Sequence, residues 1–180
     1  ISAGSWEDWR SDADAFPETV KGKELDGWPG ERWLDIRRLD VLLPIMDERM
    51  AACRAKGFDA VDPDNMDGYT QDSGFTITAA DQLTYNKAIA RLAHRYGMGV
   101  GLKNDPEQVA DLVPHFDFAV VEQCVVYGEC AAWTPFITDG KAVLHVEYDG
   151  RMSEICAATK PLGFSTIKKH LNLDAYRRVC

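Results

Sequence analysis

The sequence predicts an α/β fold with parallel strands, a (β/α)8 barrel. Three observations predict it. Short apolar runs alternate with helical stretches along almost all of the 180 residues. Gly57 and Gly97 close the two longest helical stretches, as a helix C-terminus favours. Nearly every apolar run also turns polar at its last residues. Strands separated by helices pair in parallel through right-handed crossovers.

In chain order, residues 1–4 read as the tail of a strand, followed by a long loop. Residues 33–36 form a short strand. Residues 41–56 form a helix, with Leu42, Ile45, Met46, Met50 and Cys53 on one face. Residues 58–62 form the next strand. Thr78 caps the following helix, with Asp81 in capping-box position. Its inner face is Tyr85, Ile89, Leu92, Ala93 and Tyr96. Strands follow at 98–102, 116–121, 142–146 and 163–167. Short helices fall between them at 106–112, 131–137 and 152–157.

A doubly wound open sheet is the competing architecture. No glycine-rich phosphate loop follows any strand, and Gly99 and Gly101 fall inside one. The nucleotide-binding version loses support. A barrel instead places its functional groups at the C-terminal strand ends. Here those ends read Asp35, Asp62 and Asp64, Lys103 and Asn104, Glu122 and Gln123, Glu147 and Tyr148, and Lys168. Seven strands are countable, and a barrel typically takes about 250 residues. The expectation is a single domain over 1–180 that lacks the first strand and helix of the barrel.

Bulk properties narrow the function. With 46% hydrophobic and 27% charged residues, the chain can fill a core and is not disordered. Lysine and arginine number 20 against 29 aspartates and glutamates, a net charge of −9. That argues against a nucleic-acid partner and suits a cationic ligand. No apolar run approaches the ~20 residues that cross a bilayer. None of the five cysteines forms a CxxC pair, so a thiolate metal site is not expected. Cys53 falls on a helix face. The other four pair most simply as Cys124 with Cys130 and Cys156 with Cys180, although an odd count leaves the connectivity open.

The stretch GFDAVDPDNMDGY (57–69) carries the strongest chemical signal. A strand runs straight into Asp62, Asp64 and Asp67 around Pro63, Asn65 and Gly68. Proline is tolerated only at a strand edge or end, so Asp64 stands at the rim. Glu122 ends the strand two later, on the face of Phe118 and Val120. Carboxylates from different strands that meet over one pocket suit glycoside hydrolysis. A separation of about 5–5.5 Å gives retention and about 6.5–9.5 Å inversion. Burial and mutual repulsion would raise one pKa and leave the other group ionised.

Rival readings are weaker. DPDNMDG resembles a calcium loop but lacks the glutamate at position 12 of an EF-hand and follows a strand. A magnesium-dependent barrel enzyme would also want acidic strand ends. The four histidines show neither HxxxH nor HxH spacing. His145 shares a face with Glu147 and suits either the mouth or the core. No nucleophile elbow surrounds Ser73 or Ser153. Trp6, Trp9, Trp28, Trp33 and Tyr69 gather near loops, where aromatic faces can stack on sugar rings or simply pack.

Seven motifs together resemble glycoside hydrolase family 114: SAGSWEDWR (2–10), LDGWPGERWLDIR (25–37), GFDAVDPDNMDGY, SGFTITAADQLTYN (73–86), VGLKND (100–105), FAVVEQC (118–124) and VEY (146–148). They run in the expected order over most of the chain, up to about Tyr148. The resemblance implies a secreted endo-α-1,4-polygalactosaminidase on a TIM barrel, without a cofactor or metal. It implies a retaining mechanism, with Asp64 as nucleophile and Glu122 as acid/base. Asp35, Asp62, Tyr69, Lys103, Asn104, Gln123, Glu147 and Tyr148 are then expected to bind substrate. The expected partner is a galactosamine-containing polysaccharide. A carbohydrate-binding barrel without hydrolysis is the alternative, as is a metal-dependent barrel enzyme.

Overall fold

A computed structural model describes residues 1–180. The chain divides into two compact units, Ile1–Val100 and Gly101–Cys180.

The first unit begins where the sequence suggested a long loop. Strand β1 (Ser5–Glu7) pairs antiparallel with β3 (Trp28–Leu34), and β3 pairs on its other side with β2 (Lys21–Leu25). The hairpin turns at Gly27, whose φ is +78°. Apolar alternation is missing here because most of β2 and β3 is half-buried or exposed on both faces. Only Leu25 of the KGKEL strand is buried. Ser5 lies opposite Trp33 and Glu7 opposite Glu31, so these four side chains share one face.

Helix α1 (Leu39–Ala55) buries Leu42, Ile45, Met46 and Met50 as its periodicity predicts. It also buries Arg49, which the periodicity did not single out. Strand β4 (Ala60–Val61) is shorter than the 58–62 expected. Phe58 is exposed and Pro63 stops the ladder. Helix α2 (Ala79–Arg95) starts at the Thr78–Asp81 capping box read from the sequence. Strand β5 (Gly99–Lys103) begins in this unit, where Ala60 and Val61 pair in parallel with Gly99 and Val100. Leu34, Ile36, Leu42, Met46, Met66, Tyr85 and Ile89 form the core.

In the second unit, Gly101–Lys103 of β5 pairs in parallel with β6 (Phe118–Glu122). Strands β7 (Ala142–Glu147) and β8 (Ser165–Lys168) continue the parallel order. The Phe118 ring lies against Gly101, where an added Cβ would meet its Cε2 at 2.5 Å. A glycine inside the strand is therefore a packing requirement. Helices α3 (Val109–Leu112), α4 (Cys124–Tyr127), α5 (Thr134–Thr138) and α6 (Met152–Thr159) connect the strands. Two-residue β9 (Arg178–Val179) adds antiparallel to β8. Helix α4 and strand β9 escape sequence reading because each is too short to show a period.

The disulfides are Cys124–Cys130 and Cys156–Cys180, as the simplest pairing anticipated. Cys53 is free and partly exposed, not buried in the face of α1. No helix is long and apolar enough to cross a membrane.

Candidate active site

In the first unit Asp64 lies three residues past the end of β4. Its backbone is held from three directions. The Asp64 amide donates to the Ile1 carbonyl at 2.7 Å, and its own carbonyl accepts from Ala3 and Gly4 at 3.0 Å each. The segment 1–4 is itself anchored from both helices. Arg49 on α1 donates to the Ser2 carbonyl at 2.6 Å, and the Tyr85 hydroxyl on α2 donates to the Ala3 carbonyl at 2.6 Å. The fork of Arg49 also grips Asp12 at 2.6 and 2.8 Å. That grip holds the Asp12 carboxyl below its usual range. Burial pushes the Tyr85 phenol up, so it stays a neutral donor.

The loop after Asp64 is held by α2. Asn86 donates to the Met66 carbonyl at 3.0 Å, Gln82 donates to Asn86 at 2.8 Å, and the Tyr69 amide donates to Gln82 at 3.3 Å. Gln82 and Asn86 are wholly buried. This explains polar residues within a helix face that is otherwise apolar. The Asn65 amide donates to Asp64 Oδ1 at 2.9 Å, and its side chain donates to Ser5 Oγ at 2.7 Å. Ser5 in turn donates to Glu31 Oε2 at 3.3 Å. Gly4 passes so close that an added Cβ would sit 1.6 Å from the Asn65 carbonyl oxygen.

In the second unit Glu122, the last residue of β6, gathers three donors. Tyr148 donates from its hydroxyl to Oε1 at 2.5 Å. Lys103 Nζ stands 3.0 Å from Oε2, and Asn104 Nδ2 reaches Oε2 at 3.4 Å. Asn104 also accepts from the Glu122 amide at 3.0 Å, so side chain and backbone are fixed together. Lys103 is almost wholly buried, whereas the Glu122 side chain is 30% exposed. The carboxylate therefore faces solvent on one side and its donors on the other.

Four of the five non-glycine residues with positive φ follow strand ends: Asn65 at 61°, Asn104 at 52°, Asp105 at 64° and Gln123 at 58°. Each sits beside an expected site residue or is one. Such backbone is held only where its surroundings over-determine it, and it concentrates at functional sites.

The structure sorts the remaining expected residues. Asp62 offers its carbonyl to the Ile1 nitrogen at 2.8 Å. Gln123 turns the chain and donates its amide to Val146 at 2.8 Å. Two residues differ from the substrate contacts expected of them. Asp35 is buried, with both oxygens taken by Arg37 at 2.7 and 2.9 Å. Glu147 is wholly buried: its Oε1 accepts from the Val125 amide at 2.8 Å and meets His145 Nε2 at 3.0 Å. It braces the loop after Glu122 together with the Cys124–Cys130 bridge. His145 is accordingly a core residue, with Thr166 on its other nitrogen at 3.1 Å. Strand parity decides this: Val143, His145 and Glu147 share the buried face of β7. Glu31 and Ser5 were not singled out by the sequence. Their role depends on the pairing of β1 with β3, which leaves no local signal.

In each unit a parallel strand thus leads to a braced, partly open carboxylate. The family model of glycoside-hydrolase family GH114 matches residues 1–180, and the chain belongs to that family. It is 38% identical to Ega3 of Aspergillus fumigatus, whose crystal structure was solved in complex with galactosamine; the TM-score is 0.92, with 100% of this chain and 76% of that one covered. The glycoside hydrolase domain of PelA from Pseudomonas aeruginosa matches with a TM-score of 0.69 at 13% identity, over 99% of this chain and 79% of that one. At that identity the likeness concerns the fold. No curated protein matches the chain.

Proposed function

We propose that the protein is a secreted endo-acting hydrolase of α-1,4-linked galactosamine and N-acetylgalactosamine polymer. The observation that carries this reading is the likeness, over all of this chain and at 38% identity, to a relative solved with galactosamine. The charge of −9 suits a polymer that carries free ammonium groups, and two disulfides suit an oxidising, extracellular setting.

Asp64 and Glu122 are the proposed catalytic pair. Asp64 attacks the anomeric carbon while Glu122 protonates the departing glycosidic oxygen. Glu122 then takes a proton from the water that displaces Asp64, and the configuration is retained. Lys103, Asn104 and Tyr148 support the Glu122 role because they stabilise the carboxylate left once its proton has gone. The neighbours of Asp64 fix its backbone and leave its side chain partly exposed.

Reducing-sugar release from partly deacetylated polymer tests the reading. Glu122→Gln and Asp64→Asn should each lose about 10²–10⁴-fold in rate with the fold intact. Wild-type rates in either variant would remove that residue from its role.

A further inference from the structure

We propose that Glu31 is a specificity-determining residue beside Asp64, whose carboxylate receives the protonated amine of the sugar ring that is cut. The inference rests on the reading above, in which Asp64 attacks the anomeric carbon. The amine of a galactosamine is borne on the adjacent ring carbon. A group that reads it must therefore stand next to the nucleophile.

Glu31 occupies such a place. It lies on the face of β3 shared with Ser5 and Glu7, and the Ser5 hydroxyl ties it to Asn65, the neighbour of Asp64. Asp64 is close enough for its charge to act on Glu31. The charged groups facing Glu31 are Asp64 from the loop after β4, Glu7 directly across on β1, and Arg10 from the turn after β1. Arg10 is spoken for, because its guanidinium bonds Glu7. Glu31 keeps one oxygen, Oε1, that accepts no hydrogen bond from the protein.

A carboxylate partly withdrawn from water, beside a second carboxylate and without a bonded cation, costs free energy in the empty protein. Desolvation first, and the Asp64 charge after it, hold the Glu31 carboxyl above its usual range. An entering ammonium removes that cost and forms a charge-assisted hydrogen bond. A neutral acetamide at the same ring position does neither. Glu31 therefore selects a free amine over an acetylated one at the cleaved residue.

Glu31→Gln separates this role from a structural one, since glutamine still accepts from Ser5 and only the charge is lost. Calorimetric titration of the full chain carrying Glu122→Gln, with and without Glu31→Gln, by a galactosamine oligomer and by its fully N-acetylated counterpart gives an affinity ratio independent of turnover. Glu31→Gln should lower that ratio about 10- to 100-fold. The sign of the stability effect is also fixed. A carboxyl with a raised folded pKa contributes stability below its unfolded value, and that contribution is lost as pH rises through the folded value. Glu31→Gln should therefore melt at or above the wild-type temperature at neutral pH, and the wild type should gain on it upon acidification.

An unchanged ratio overturns the inference, even where the wild type cleaves the polymer. So does an equal weakening of both ligands, which would make Glu31 a support for Asn65 and Asp64, or Glu122→Gln protein that binds neither oligomer. A falling ratio alongside a wild type that never cleaves would defeat the proposed hydrolysis and leave the amine reading standing.

Discussion

Tyr148→Phe removes a single hydroxyl and keeps the ring. In the wild type that hydroxyl ends 2.5 Å from Glu122 Oε1. A hydrogen bond to a charged group contributes about 1.5–3 kcal/mol. Glu122 is 30% exposed, and water can partly replace the lost donor, so the lower half of that range applies. About 1.5–2 kcal/mol corresponds to a rate loss of roughly 10- to 30-fold.

Where the loss falls is the sharper test. If Glu122 carries its negative charge mainly after giving up its proton, the bond is stronger in the transition state than in the bound substrate. The loss then appears in kcat and equally in kcat/KM. Steady-state hydrolysis of a galactosamine oligomer measures both, and thermal melting shows whether the fold survives. Rates within twofold of wild type, or a change confined to KM, would refute the role given to Tyr148.

Two further predictions concern the scaffold. Gly4→Ala would place a Cβ 1.6 Å from the Asn65 carbonyl oxygen; it should cost about 1–3 kcal/mol in chemical denaturation and, by moving Asp64, about 10²-fold in kcat, whereas a fully active variant would show that the close approach is unimportant. The Cys156–Cys180 bridge has a sequence separation of 24 and the Cys124–Cys130 bridge one of 6. Loop-closure entropy gives about 3.5 and 2.4 kcal/mol respectively. Replacing the longer pair with alanine should lower Tm by about 7–14 °C. Replacing the shorter pair should lower Tm less but reduce activity more, because that bridge braces the loop after Glu122. The opposite ranking in calorimetry and turnover would contradict this.

The legible and illegible parts of the molecule differ for a physical reason. Helices α1 and α2 could be read because seventeen residues in each repeat a buried face, and the Thr78–Asp81 cap is a local device. Strands β5, β6 and β7 could be read because they are largely apolar runs, and β8 because Phe164 and Ile167 follow Gly163. Asp64 and Glu122 could be read because a buried strand must meet solvent at its end, and a carboxylate there is conspicuous. The three-stranded sheet reads as a long loop in the sequence because Lys21, Lys23, Glu24, Glu31 and Arg32 leave it no apolar alternation. Asp35 and Glu147 were legible as acids at strand ends, but their partners were not. Arg37 lies two residues from Asp35, where an ion pair has no more signal than any basic neighbour. His145 lies two residues before Glu147, and only burial of that strand face shows that both point inward.

The support of Asp64 shows what the buried polar residues are for. Arg49, Gln82, Asn86 and Tyr85 would all be candidates for apolar replacement if stability alone mattered, since buried polar networks often add little net stability. Yet their bonds run to the segments that flank Asp64: the Ser2 and Ala3 carbonyls on one side, Met66 and the Tyr69 amide on the other. None of the four supplies a side-chain donor that these bonds aim at the Asp64 carboxylate. They fix the backbone and leave the acid partly exposed, as a nucleophile requires. Asp64 Oδ1 accepts the Asn65 amide at 2.9 Å, and Glu122 carries donors from three side chains on its oxygens. A group that gives up and regains a proton benefits from donors that stabilise its anion. The donors around Glu122 thus suit the acid/base role proposed for it.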